Sequence, residues 1–576
     1  MANYYQDNFD IQFHLKKRDL TRVVSLVEDD FADRKSFSYA PKDLDDALDN
    51  YERVLEIVGE ISGDFVAPRA REVDATGAQY ANGEVSYPQG LQDALERIRK
   101  ADLAGFVLQR KYGGLNMPYT VFSAVIEIFA RADASLPLII SLQALAATIE
   151  KFGSDEQKER ILPRFAAGEV VGSMALTEPD SGSDLQSIML KASQRSDGKW
   201  QLNGVKRFIT SGFEQFSLVM ARSEEGSTGG RGISLFIYER DQDMRIRRIE
   251  SKLGIKGSPT CELQFNNAEA ELLGKRKMGL VKYTMYLMNS ARLAISAQAV
   301  GIAEAAYREA NTYARDRNQF KKSIQDIPAV YEMLTNMRVN IEAARSLLYE
   351  TSTMVDIKEG IEKKIEWHPE TRADLKNDLS RYTRYAGLCT PLIKRFAADM
   401  ANQVCYDAIQ VHGGVGFTKE FDVERHYRDV RITSIYEGTS QLQVLGAVGG
   451  VVGGVVFERL NDYESDNDFS EVNELYQSVQ KLRSRLEAAV SHIKEKADAD
   501  FQEYHSERLV DMATDTLLAY LLCIDALKSD RKKKVAQLFI AAAQIRVKSK
   551  QDFILTNDTS MMEFHSDIIK AEEVLV

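Results

Sequence analysis

Two short segments carry residue types that could hold an anion and move a proton. In the first, residues 174–185, an apolar stretch runs into a loop where Gly182 lies between Ser181 and Ser183. Such a loop exposes backbone N–H groups and hydroxyls to an anionic ligand, and it can equally be a plain surface turn. In the second, the apolar segment 432–436 stops at Glu437-Gly438-Thr439-Ser440-Gln441. A carboxylate beside a glycine at a turn can act as a general base if water is kept from it; otherwise it is a solvated acid.

The elements that must position these segments follow the order helix, strand, helix. Leu44, Leu48, Tyr51, Leu55 and Val58 recur at helical spacing, and residues 41–172 read as a helical domain after an N-terminal extension, 1–40. Residues 173–280 read as a β domain. Asn203-Gly204 between two short apolar segments predicts a hairpin, because both residues tolerate positive φ, and 233–238 and 261–265 read as further strands. Helical spacing returns at Leu293, Ala297, Val300, Ala303 and Tyr307 and continues to residue 445, with Pro328, Pro369 and Pro391 as interruptions. Residues 281–445 therefore form a helical bundle, and 446–576 an additional helical unit, giving an α+β fold class.

That last unit is approached through an uncharged apolar run, 444–457, too short for a bilayer span of about 20 residues. Gly446, Gly450 and Gly454 recur every fourth residue and would give a helix one smooth face for close packing. An acidic linker, 461–474, is expected next. The basic run Arg531-Lys532-Lys533-Lys534 suggests an alternative for the apolar segment, a weak membrane-surface contact.

A chain of 576 residues is long enough for several units around large cores. Its formal charge of −12 argues against a nucleic-acid surface, so an anionic ligand must be held by local donors: helix N-termini, hydroxyls and single arginines. The four cysteines show no metal-like spacing, and residues 1–19 lack a signal core or transit composition; a reducing, cytoplasmic setting is the expectation.

Further segments accompany the first two in fixed order. They are residues 153–160 with Pro163 and Gly168-Glu169, Phe208-Ile209-Thr210, residues 252–258, Arg315-Asp316-Arg317-Asn318-Gln319-Phe320, and Gln410-Val411-His412-Gly413-Gly414 continuing to Phe417. Together these motifs resemble the acyl-CoA dehydrogenase family over residues 50–445, and the additional C-terminal unit resembles in plan the very-long-chain members.

The resemblance implies FAD as cofactor and an acyl-CoA thioester as substrate. Met174, Leu176 and Thr177 match flavin contacts, and Ser183 matches a residue near the pyrophosphate and the substrate's pantetheine arm. Phe208, Ile209 and Thr210 match the tripeptide behind the flavin, with Thr210 on N5. Arg317, Gln319 and Phe320, together with Gln410, Gly413 and Gly414, match residues that reach the FAD of a neighbouring subunit, which implies a homodimer or homotetramer. Thr439 and Gln441 match further cofactor contacts. Arg292, Asn289 and Gly438 fall where the family meets its substrate, although Asn289 stands where some relatives have an acid.

Glu437 is then the base that removes the α-proton. Ala291, at the position where some relatives carry the base, cannot take a proton. Electron-transfer flavoprotein is the implied acceptor, and fatty-acid β-oxidation the implied setting. Reduction of an enoyl-CoA by the same residues, an oxidase, and an assembly protein on a retained dehydrogenase fold are the competing readings. The last requires an eroded site, whereas Glu437, Thr210, Ser183 and Arg317 are all present.

Overall fold

A computed structural model describes residues 2–570. Nine helices fill the first part: α1 (Phe9–Lys17), α2 (Thr21–Val27), α3 (Leu44–Glu60), α4 (Ala70–Thr76), α5 (Gln89–Lys100), α6 (Tyr119–Ala132), α7 (Leu136–Ser141), α8 (Gln143–Phe152) and α9 (Asp155–Ala166). Local chemistry starts several of them. Asp43 caps α3, and Ser154 with Gln157 forms a capping box on α9. A small exposed hairpin, β1 (Gln79–Ala81) and β2 (Glu84–Ser86), interrupts the expected all-helical run.

The β domain contains β3 (Gly172–Ala175), β4 (Lys191–Gln194), β5 (Trp200–Thr210), β6 (Phe216–Arg222), β7 (Ile233–Glu239), β8 (Met244–Ile249) and β9 (Thr260–Leu272). β4, β5, β9, β7 and β6 pair in turn, and one bridge from β6 back to β4 closes the circuit. Trp200, Phe236, Tyr238 and Phe265 fill its interior.

The hairpin expected at Asn203-Gly204 is not there. Both residues lie inside β5, where Asn203 pairs with a bulge on β9: Asn267 N–H donates to Asn203 Oδ1 (2.8 Å), and Asn203 Nδ2 donates to Asn267 Oδ1 (3.0 Å). The turn that joins β4 to β5 contains Asp197-Gly198, closed by the Arg195 N–H to Lys199 O bond at 2.8 Å.

Three long helices follow: α10 (Met285–Asp316), α11 (Pro328–Trp367) and α12 (Arg372–His412), with a short hairpin, β10 (Asn318–Gln319) and β11 (Lys322–Ser323), after α10. Pro328 opens α11 and Pro369 marks the gap before α12, but Pro391 stays within α12. Helix α13 (Val423–Val430) leads to the Glu437 turn, then come α14 (Ser440–Val452), α15 (Val455–Asp466), α16 (Asn473–Lys496), α17 (Ala499–Ala526), α18 (Asp530–Leu555) and α19 (Ser560–Lys570).

The glycine-rich run is therefore two helices that meet at 66°. A Cβ on Gly446 would lie 3.6 Å from Pro391, and one on Gly450 3.0 Å from Leu388, so this face packs on α12. Gly454 has φ +89 and forms the bend rather than continuing the face. The expected acidic linker is the last part of helix α15, a short turn and the start of α16. Tyr463 and Phe469 are buried there, and Tyr463 donates to Glu350 Oε1 at 2.9 Å.

The basic run on α18 is not a free cationic patch. Lys532 is fully buried between Asp10 of α1 and Glu342 of α11, and Arg531 pairs with the same Glu342. The charge of Lys532 is neutralised inside the protein, while Lys533 and Lys534 stay at the surface.

Candidate active site

The chain reverses at Glu437 and Gly438, whose φ values are +53° and +88°. Glycine suits the second position for two reasons: the left-handed backbone, and a Cβ that would stand 2.7 Å from Gln443 Nε2. The glutamate holds its strained conformation because its own carbonyl and that of Gly438 are captured. Arg292 Nε, from α10, donates to Glu437 O at 3.3 Å. Gln443 Nε2, from α14, donates to Glu437 O at 3.2 Å and to Gly438 O at 2.9 Å. Lys394 Nζ, from α12, donates to Gly438 O at 2.6 Å. Thr439 caps α14 by accepting from the Leu442 N–H, and Gln441 is exposed on its first turn.

The Glu437 side chain is half-buried and makes no hydrogen bond or ion pair among the described residues. Burial raises its pKa, opposed by the nearby charges of Arg292 and Lys394. Burial lowers the Lys394 ammonium to about 8, against the pull of Glu437 and Asp399. Arg292 also donates to Asn289 Oδ1 at 3.3 Å, which places Asn289 in this group. Ala291 is buried on the same helix. Tyr436, beside the acid, is fixed by a hydrogen bond from its phenol to Gln298, whose amide reaches Ala134 O at 2.8 Å.

A second group forms at the end of the β domain. Leu176 is buried and Met174 half-buried, in one apolar cluster with Leu287 and Met288 of α10, next to Asn289 and Arg292. Beyond them Glu178 and Ser181 close a tight turn that leaves Gly182 and Ser183 exposed. Fully buried Lys206 ties this loop to β5, donating to Leu176 O at 2.8 Å and Glu178 Oε1 at 2.9 Å.

The Arg207 N–H donates to Thr177 O at 2.9 Å, and an irregularity in β5 turns Phe208 outward with φ +62°. Phe208 is 51% exposed; Ile209 is buried and Thr210 half-buried. The Arg207 to Thr177 bond places Thr177 beside the Phe208 turn of β5, while Ser183 is exposed further along the same loop. A half-exposed aromatic ring with the Arg207 guanidinium 4.6 Å from its centroid, hydroxyls and an open glycine turn are groups that suit a flat heteroaromatic ring with an anionic tail, as FAD has.

The third group lies elsewhere. Arg317 follows α10, Gln319 is in the β10–β11 hairpin and Phe320 is at its tip, 86% exposed. Gln410, Gly413 and Gly414 end α12 beside it, joined through the His412 ring stacked on Tyr313 at 4.4 Å. His412 is buried with Nδ1 on Ala408 O at 2.8 Å, which makes it structural. Arg292, near the start of α10, and Arg317, the cap that ends it, are about 37 Å apart at 1.5 Å per residue. One chain therefore brings together the first two groups and leaves the third facing outward.

Sequence reasoning passed over Lys394, Gln443 and Gln298. Lys394-Arg395 within the otherwise apolar buried run of α12 was the available signal; nothing local distinguishes Gln443.

Profiles of acyl-CoA dehydrogenases match along the chain: the N-terminal domain at residues 49–169, the middle domain at 173–268, the C-terminal domain at 293–441, and a further C-terminal region at 452–561. The 3-methylmercaptopropionyl-CoA dehydrogenase of Ruegeria pomeroyi is 34% identical over 443 residues, covering 72% of this chain and 71% of that protein. The chain belongs to the acyl-CoA dehydrogenase family. Members of this family are FAD-dependent oxidoreductases.

The butyryl-CoA dehydrogenase structure from Megasphaera elsdenii matches with a TM-score of 0.61 and 30% identity, over 70% of this chain and 98% of that one. An acyl-CoA dehydrogenase from Bacillus anthracis, solved with FAD, matches 90% of this chain and 91% of its own, with a TM-score of 0.74 and 22% identity. Its fold thus extends through most of the C-terminal unit.

Proposed function

We propose that this protein catalyses α,β-dehydrogenation of an acyl-CoA thioester, with Glu437 as the base that takes the α-proton. The observation that carries this reading is the Glu437 carboxylate itself: partly withdrawn from water, unbonded, and presented on a strained turn that three side chains hold. Desolvation raises its proton affinity, so it becomes a stronger base than a solvated glutamate, while Arg292 and Lys394 keep the ionised form accessible.

The Glu437 N–H donates to no backbone acceptor among the described residues. It is free to stabilise the thioester oxygen as negative charge develops there. FAD, when bound, supplies the acceptor for the hydride from the β-carbon. Thr177, Phe208 and Thr210 would hold its ring, with Thr210 at the hydride-accepting edge, and Gly182 and Ser183 would meet its phosphates or the CoA arm. Arg317, Gln319, Phe320, Gln410, Gly413 and Gly414 would serve a neighbouring subunit's cofactor, since Arg317 stands about 37 Å along the α10 axis from Arg292 and the others lie at the same end of the bundle. A homo-oligomer and electron-transfer flavoprotein as acceptor complete the reading.

The test is anaerobic flavin bleaching with a panel of acyl-CoA thioesters, beginning with butyryl-CoA and extending to longer and branched chains. Glu437→Gln should retain flavin and lose at least about a thousandfold in the bleaching rate. Bleaching at the wild-type rate would refute the assignment.

A further inference from the structure

The Glu437 turn is held by groups whose own burial is unfavourable. Lys394 is fully buried, yet it forms no ion pair among the described residues; its one hydrogen-bond acceptor is Gly438 O. Gln443 is 1% exposed, and its Oε1 is buried without any partner while its Nε2 serves two carbonyls. A buried ammonium on a neutral acceptor and an orphaned amide oxygen both cost stability. Neither is needed to pack α12 against α14, where apolar side chains would serve better.

Both groups converge on one peptide. With Arg292 they place four hydrogen bonds on the consecutive carbonyls of Glu437 and Gly438, from three different helices. We propose that Lys394 and Gln443 are positioning residues for this reaction, fixing the left-handed turn that aims the Glu437 carboxylate and N–H at the substrate. The inference rests on Glu437 being the base.

The two residues act differently. Gln443 is neutral and acts by geometry alone. Lys394 adds a charge, and the charged groups facing Glu437 are Arg292 from α10 and Lys394 from α12, with Asp399 of α12 next to Lys394 and none from α14. Removing the Lys394 charge therefore raises the proton affinity of Glu437 further, whereas removing Gln443 leaves it unchanged.

The experiment follows the reductive half-reaction against pH, using the acyl-CoA that bleaches the wild-type flavin fastest. Gln443→Leu should lower the limiting rate about a hundredfold, the scale of a misplaced reacting group, with its acid limb unmoved. Lys394→Met should lower the rate and move the acid limb upward by about one pH unit or more. Lys394→Arg, which keeps the charge, should restore the limb. Flavin content and the melting transition are measured on each variant; should Lys394→Met not fold, Lys394→Gln, which removes the charge but keeps a hydrogen-bond donor, takes its place. A wild-type rate in Gln443→Leu together with a wild-type rate and an unmoved limb in Lys394→Met would overturn the proposal. Glu437→Gln run in parallel separates the two ideas: wild-type bleaching there refutes the base itself, while its loss alongside unaffected Gln443 and Lys394 variants refutes only the positioning roles.

Discussion

The cluster around Arg345 and the turn at Glu437 both remove carboxylates from water, and they treat them in opposite ways. Arg345 donates to Glu127 at 2.7 Å, Asp10 at 3.0 Å and Glu304 at 2.6 Å; Arg338 and Lys532 complete the shells of Glu304, Glu342 and Asp10. Burial alone would raise these acids, but direct ionic hydrogen bonds hold Asp10, Glu304 and Glu342 below their ordinary range. Glu127, with one oxygen buried and unpaired, is the exception and rises to about 7. At Glu437 the cations grip the backbone instead and reach the carboxylate only through space, so burial wins. Contact fixes charge for structure; the same charges at one remove leave an acid free to take a proton.

The largest test of this contrast is Arg345→Met. Stranding several buried carboxylates should cost about 3–5 kcal/mol, read from urea unfolding, while bleaching per folded, flavin-bound molecule stays near wild type. A proportional loss of rate would show that the two clusters are not separable. Gly438→Ala should do the reverse. A left-handed alanine costs about 1–2 kcal/mol, and its Cβ must displace Gln443, so the bleaching rate should fall steeply with a modest change in unfolding.

The pH dependence should separate as well. Glu350 is held down to about 2, against burial, by Arg459 and Arg18. A folded pKa below the unfolded value means that its stabilisation is present above about 4.5 and is lost as pH falls toward 2. Glu437 has a raised pKa, so the bleaching rate should climb with pH above 4.5, where Glu350 is already fully ionised. Coincident midpoints for unfolding and activity would break the distinction. Gly450→Ala should have the smallest effect: helix propensity gains about 1 kcal/mol, and the tight contact is with the flexible end of Leu388. A net change within about 1 kcal/mol in urea unfolding is expected.

Periodicity made the helices around Leu44 and Leu293 legible, and turn chemistry made part of the β domain so. Asn203 misled because asparagine tolerates a turn and staples a bulge equally well, and the paired partner lies 64 residues away. Glu437 could be singled out through motifs, but its captured carbonyls could not: Arg292 and Lys394 become neighbours only after α10 and α12 have packed, and Gln443, six residues on, carries no local mark of its role. The basic run 531–534 misled for the same reason: no local feature shows that Asp10 lies against Lys532.

That last contact has a consequence for how the chain comes to be made. Lys532, the buried counter-charge of Asp10, leaves the ribosome 522 positions after it. At a synthesis rate of about 5–20 residues per second, α1 waits roughly half a minute or more for the helix that completes its site. During that time the exposed face of α1, with Ile11 and Phe13, has no final resting place. The seam between α1 and α18 therefore closes only late in synthesis, after the residues of the Glu437 turn have already emerged.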